Sequence, residues 1–277
     1  MRRMASPQQS PAELPTRGLA AAGPPGHLVT RERFDAVLFD LDGVLTSTAA
    51  IHAEAWKQMF DEFLSRRLAA EGATGDVERM RPFDIDCDYK RYVDGKPRYE
   101  GVASFLASRQ IELPRGDPSD APGEESVCAL GNRKDAMVKR AIDEGRVQPF
   151  PGSVRWVEQL RDEGFRLGVV SSSRNCGPVL RAAKIDHLFE VRVDGETLLA
   201  ENLPGKPAPD SFLKAAHDLG TTALRSVVVE DALSGVEAGR AGSFGLVIGV
   251  DREGHAEALK HHGADLVVND LSELLAR

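Results

Sequence analysis

Short apolar runs alternate with helix-like segments along most of the chain, and that alternation restricts the fold more than any other feature. The runs lie at residues 36–40, 166–171, 226–230, 245–250 and 265–268. Helical patterns occupy 153–163, 178–184, 209–219, 233–241 and 256–262. In the first of these, Val154, Val157 and Leu160 fall at i, i+3 and i+6, one apolar stripe with charged residues opposite. Such a sequence predicts an α/β fold, a doubly wound parallel sheet with helices on both faces. The alternation pauses between residues 48 and 147. That interval reads as helical at 50–67, charged and irregular around 71–97, and loop-rich at 113–125. It predicts a helical domain, 48–147, inserted after the first strand into a core built from 31–47 and 148–277. Residues 1–30, rich in proline, glycine and serine, read as a flexible tail.

In a doubly wound sheet, ligands bind outside the carboxyl ends of the strands. The first run ends in Asp40-Leu41-Asp42-Gly43, two carboxylates one residue apart. Burying such charge unpaired is expensive, whereas at a strand end it is available to a cation or a proton. Taken alone, the pair also fits an ordinary turn closed by Gly43. The second run ends in Ser171-Ser172-Ser173-Arg174-Asn175, whose hydroxyls and backbone N–H groups suit phosphate oxygens. The third ends in Glu230-Asp231, a second acidic pair. Lys206 stands between Gly205 and Pro207, where a stiff loop presents a fixed ammonium. Four polar clusters, three of them at strand ends, argue for one site.

The 277 residues, 42% hydrophobic, suffice for a sizeable core, and a formal charge of −8 argues against nucleic acid as a main partner. Cys87, Cys128 and Cys176 form no metal-binding or disulfide spacing and read as reduced thiols of a cytoplasmic protein. No segment approaches the roughly 20 apolar residues that span a bilayer. The patch at 19–22, behind Arg2 and Arg3, is too short for a signal-peptide core.

The order of these motifs resembles the haloacid dehalogenase (HAD) superfamily of phosphotransferases, in the branch with a helical cap after the first strand. The likeness covers residues 34–276. Within the superfamily it is nearest to the β-phosphoglucomutase group, on Phe39 to Thr46, on Thr48 and His52 with Ala55-Trp56, and on Ser171 to Asn175. It also draws on Asp94-Gly95-Lys96-Pro97-Arg98, Arg133-Lys134 and Val193-Asp194-Gly195. The chain departs from the group at Ser47, at Arg174, and in a longer cap around 71–87 and 112–125.

The resemblance implies a Rossmann-like HAD core and a magnesium (Mg2+) enzyme. Asp40 would be the nucleophile that carries a phosphoryl group, and Asp42 the general acid and base. Asp40, the Asp42 backbone carbonyl and Asp231, with Glu230 close by, would hold the metal. Ser171 and Lys206 would neutralise phosphoryl oxygens. Arg98 with Ser173, Arg174 and Asn175 would grip a second, distal phosphate. Thr48, His52, Gly95, Lys134 and Ser172 would complete the substrate site. From the residues alone, His52 also reads as an internal partner of Trp56 four positions on. Arg98 and Lys134 also read as solvated surface charge. The implied reaction interconverts β-glucose 1-phosphate and glucose 6-phosphate through a 1,6-bisphosphate; a phosphatase of small sugar phosphates is the alternative. A small sugar phosphate is the expected partner, with no nucleic acid, no membrane, and a monomer favoured.

Overall fold

A computed structural model describes residues 28–72, 76–252 and 254–275. The expected tail lies outside the described residues up to position 27, while Leu28 and Val29, at its end, are buried. The sheet comprises β1 (Ala36–Phe39), β2 (Arg166–Val170), β3 (Val191–Val193), β4 (Ser226–Glu230), β5 (Leu246–Val250) and β6 (Leu266–Val268). Their spatial order is β3-β2-β1-β4-β5-β6, and each pair of neighbours is parallel. The first strand is thus central and the chain winds outward on both sides of it, which puts the switch point between β1 and β4. Five strands fall on the predicted runs. The sixth, β3, has only three residues with Arg192 in the middle, too few to display a period.

Alternate residues of the central strands feed two separate cores, as the twofold period of a strand requires. Val37 and Phe39 pack with Val169, Val229 and Trp156, Val157 and Leu160 of helix α4 (Pro151–Asp162). Ala36 and Leu38 face Phe212, Ala215 and Leu219 of α7 (Asp210–Asp218) and Val236 of α8 (Leu233–Ala241). Because all four residues of β1 are fully buried, any polar group carried past its end is presented from a rigid base.

A third core belongs to the helical insert alone. Helix α1 (Thr48–Glu71) contributes Trp56, Met59, Phe60, Phe63 and Leu64; α2 (Arg98–Ser108) contributes Val102, Phe105 and Leu106; α3 (Val127–Asp143) contributes Val127 and Leu130. Phe60 stacks on Trp56 at 5.4 Å and meets Phe105 at 4.1 Å. Truncating such a buried ring costs about 3–5 kcal/mol. Part of the stretch predicted irregular, 71–97, is instead a π-helix (Ile85–Val93), capped by the Asp84 side chain accepting from Cys87 N at 2.7 Å. Its charges mislead because Asp88 is buried and paired with Arg109 at 2.7 Å, an arrangement that only the fold reveals.

The insert leaves and rejoins the sheet layer at one place. Ser47 N donates to Gln148 O and Phe150 N to Leu45 O, each at 2.9 Å. Its far side is docked as well. Ser172 Oγ donates to Gly95 O at 2.7 Å and Ser234 Oγ to Asp94 O at 3.1 Å. Gly205 permits the close approach of Pro97, since a Cβ there would lie 2.3 Å from Pro97 Cγ.

Candidate active site

Between the sheet and the insert lies a cavity of about 810 Å³. Its sheet end is built from the loops that follow β1, β2 and β4. After Phe39 the chain must turn sharply, and Gly43 makes this possible at φ +84°, with Gly43 N donating to Thr46 O at 2.8 Å. The turn throws Asp40 and Asp42 into the cavity. It also leaves a space that Asp231 fills: a Cβ on Gly43 would sit 1.8 Å from Asp231 Oδ2.

Lys206 is the hub of this end. Its Nζ donates to Asp40 Oδ1 at 2.5 Å, to Glu230 Oε1 at 2.5 Å and to Val170 O at 3.2 Å. Burial works to strip the ammonium of its proton, but the two carboxylates outweigh it and its pKa is raised. Burial also pushes Asp40 up to about 6, with Lys206 opposing and Asp42 reinforcing the rise. Glu230, fully buried, is pushed up to about 7 by the same loss of water, again opposed by Lys206. Its second oxygen accepts from Ala232 N at 2.9 Å. Asp231 is raised well above the usual range, by loss of water first and then by Glu230 and Asp40.

Asp42 keeps different company. Thr48 Oγ1 donates to its Oδ1, and Ser171 Oγ lies 3.5 Å from its Oδ2. No ammonium or guanidinium among the described residues pairs with it, and burial raises its pKa. Thr48, expected to touch substrate, lies instead behind Asp42, 1% exposed and 2.7 Å from Thr46 Oγ1. Its hydroxyl orients a carboxylate rather than facing the cavity.

From the insert, Lys134 and His52 complete this wall. Lys134 Nζ lies 2.7 Å from His52 Nδ1 and 4.9 Å from the Trp56 ring centroid. An ammonium can only donate, so Nδ1 accepts and the ring proton sits on Nε2. Burial and the Lys134 charge hold the His52 pKa well below its usual value, so the imidazole is neutral. Nε2 is buried without a hydrogen-bond partner, 3.6 Å from Asp42 Oδ1. Burial likewise lowers Lys134 to about 8. Neither residue is solvated surface, and both line the cavity.

The other end of the cavity holds Arg98, Ser173, Arg174 and Asn175, and Gly95 and Ser172 also line it. Here the sequence missed two partners. Arg98 Nη1 pairs with Asp135 Oδ1 at 2.7 Å, and Asn175 Nδ2 donates to the same oxygen at 2.7 Å. Arg174 Nε pairs with Glu196, in helix α6 (Gly195–Ala200). The one available signal for Asp135 was its i, i+4 relation to Lys139, which meets Asp135 Oδ2 at 2.9 Å. Nothing in the spacing tied it to Arg98.

Asp40, Glu230 and Asp231 each offer an oxygen, all within 4.8 Å of one another. A hard cation suits this all-oxygen set, and it would relieve the like-charge crowding that adds to burial in raising these acids. The arrangement can therefore hold a divalent cation at the Asp40 carboxylate, with the Lys206 ammonium bonded to that carboxylate and a second carboxylate, Asp42, two residues away.

Comparison with known proteins identifies the family. The family model of haloacid dehalogenase-like hydrolases matches residues 34–242. The chain is 50% identical over 247 residues, 88% of its length and 92% of the relative's, to a beta-phosphoglucomutase of Mycobacterium tuberculosis. It is 32% identical over 240 residues, 86% of the chain and 91% of the relative, to a beta-phosphoglucomutase of Bacillus subtilis. The crystal structure of a beta-phosphoglucomutase from Clostridium difficile superposes with a TM-score of 0.66 at 23% identity, covering 87% of this chain and 93% of that one.

Proposed function

The chain belongs to the haloacid dehalogenase-like hydrolase family, and from that premise we propose that it interconverts β-glucose 1-phosphate and glucose 6-phosphate as a magnesium-dependent phosphomutase. The coarser statement, an enzyme of phosphotransferase type, follows from the family and from the 50% identical relative. The finer one is carried by a single observation, the unlike surroundings of two aspartates on one loop. Asp40 is bonded to an ammonium and Asp42 to hydroxyls. A pair so divided suits a charged nucleophile beside a proton carrier.

In the reaction, an Asp40 oxygen bonds to the 1-phosphorus of the 1,6-bisphosphate as the bond from that phosphorus to the sugar oxygen breaks, leaving glucose 6-phosphate. Asp42 gives its proton to that leaving oxygen. In the reverse transfer Asp42 takes the proton of the acceptor hydroxyl, which attacks phosphorus and frees Asp40. The enzyme thus passes through an aspartyl phosphate, and the sugar through a 1,6-bisphosphate. Lys206 and Ser171 face the phosphoryl oxygens, and preorganised charge of this kind supplies most of the catalysis in such transfers. Magnesium, held by Asp40, Asp231, Glu230 and the Asp42 backbone carbonyl, would neutralise the charge on the transferring group. The insert, 48–147, acts as a cap over the core of 31–47 and 148–277. Docked through Ser172 and Ser234, it limits the access of water. His52 and Lys134 hold the cap side of the reaction centre, and Arg98 with Ser173, Arg174 and Asn175 receives the distal phosphate. Among the described residues no helix is long and apolar enough to cross a membrane.

One observation favours a second reading, hydrolysis of small sugar phosphates. Arg98, Asn175 and Arg174 already hold carboxylates, which weakens the grip on a distal phosphate. Incubation with β-glucose 1-phosphate, magnesium and a trace of the 1,6-bisphosphate separates the two. Glucose 6-phosphate as the product supports the mutase; stoichiometric free phosphate in its place supports the phosphatase.

A further inference from the structure

Asp135 is where a phosphate of the substrate would be expected to lie. Its Oδ1 forms an ion pair with Arg98 Nη1 in the insert and accepts from Asn175 Nδ2 in the sheet layer, both at 2.7 Å. Its Oδ2 meets Lys139, one helical turn along α3, at 2.9 Å. A single carboxylate oxygen therefore fills the convergence point of a guanidinium and an amide N–H, a geometry suited to a phosphoryl oxygen. The residue is 9% exposed, yet it lines the cavity. Burial works against its charge, and Arg98, Lys139 and Asn175 outweigh burial, so the carboxyl is held below the usual range. Arg98 has capacity left over. Its Nε is buried with no hydrogen-bond partner among the described residues, and its Nη2 reaches only the Tyr99 hydroxyl at 3.5 Å.

We propose that Asp135 is a specificity-determining residue that competes with the distal phosphate of the substrate for Arg98 and Asn175. The inference rests on the reading of this cavity as a sugar-phosphate site. A phosphate entering here meets a carboxylate at the donors it needs, and two anions cannot share them without a large repulsion. Binding requires Asp135 to release Arg98 and Asn175 and to rely on Lys139, whose ammonium is already in place. Arg98 and Asn175 then turn to the phosphate, and the unused Nε gives Arg98 a further donor. A dianionic phosphate displaces the singly charged side chain, whereas a neutral sugar or a carboxylate ligand does so poorly. The distal end thus discriminates by charge and keeps its affinity for monophosphates low.

Titration calorimetry of glucose 6-phosphate into the magnesium-loaded enzyme tests the competition. Asp135→Asn keeps the shape and removes the charge. It is expected to tighten binding about tenfold or more, because a like charge at contact distance repels more strongly near a protein surface than in bulk water, and to lower KM without raising kcat. Asp135→Glu, which restores the charge, is expected to bind within about twofold of the parent. Lys139→Ala removes the fallback partner and is expected to weaken binding several-fold. A merely structural role for Asp135 would weaken binding in Asp135→Asn, so unchanged or weaker binding overturns the proposal. Inorganic phosphate, titrated without divalent cation so that the crowded carboxylates repel it from the sheet end, reads the same competition with no sugar present. If Asp135→Asn tightens phosphate but the parent enzyme turns over no sugar phosphate, the functional reading fails and the competition stands. If the parent turns over β-glucose 1-phosphate and Asp135→Asn tightens neither ligand, the reverse holds.

Discussion

The two ends of the cavity solve the problem of charge in opposite ways. At the sheet end, Asp40 and Glu230 hold the ammonium of Lys206, with Asp42 and Asp231 close by, and all four acids are pushed upward in pKa. At the far end, Arg98, Arg174 and Lys139 are matched by Asp135 and Glu196. The first end is short of positive charge and invites a cation. At the second each cation already holds a carboxylate, so an incoming anion must compete. On the proposed function, chemistry and selection would thereby be separated, one end arranged to react and the other to discriminate.

Removing the reacting carboxylate tests the first half of that contrast most severely. Asp40→Asn is expected to reduce turnover by at least ~10⁴-fold, with an unchanged circular dichroism spectrum; turnover within tenfold of the parent would remove Asp40 from its role. Arg98→Ala addresses the other end. It should lower isomerisation by ~10²-fold and hydrolysis of p-nitrophenyl phosphate far less, and equal losses in the two assays would erase the division. Gly43→Ala sharpens the contrast by disturbing the sheet end alone. The added Cβ collides with Asp231 and the left-handed φ disfavours it, so magnesium affinity should fall ~10-fold or more. Binding of glucose 6-phosphate at the distal end should follow much less closely; parallel losses would mean that the ends are coupled.

The smallest effect is one of pH. Lys134, lowered to about 8 by burial, carries its charge below that value and loses it above. With that charge facing Asp42 and the sugar, KM should rise a few-fold between pH 7 and pH 9. Lys134→Arg, whose guanidinium stays protonated, should flatten the rise; an unchanged profile in that variant would assign the effect to another group.

Much of the sheet end was legible because it depends on residues that interrupt a pattern. An apolar strand that ends in Asp-x-Asp-Gly, or in a run of serines, breaks its own logic, and the fold class then says where the breaks must meet. Lys206 could be read from its position between glycine and proline. The far end was not legible to the same degree. Arg98 was visible as a cation, but its partner Asp135 lies on another helix, and the pairing depends on how α2 and α3 pack. Thr48 was misplaced for a similar reason, since one turn of α1 decides whether a hydroxyl faces the cavity or the back of Asp42. The π-helix escaped because Asp88 and Arg109 look like surface charges until tertiary contacts bury them. β3 escaped because three residues carry no period.

The excursion that forms the cap begins at Ser47 and is over by Gln148, 101 positions later, yet these two residues are hydrogen-bonded neighbours. Its exit and return share one doorway, and the sheet's winding order passes that doorway without depending on what lies beyond it. An insert anchored in this manner can change in length and shape while the strands of the sheet keep their register.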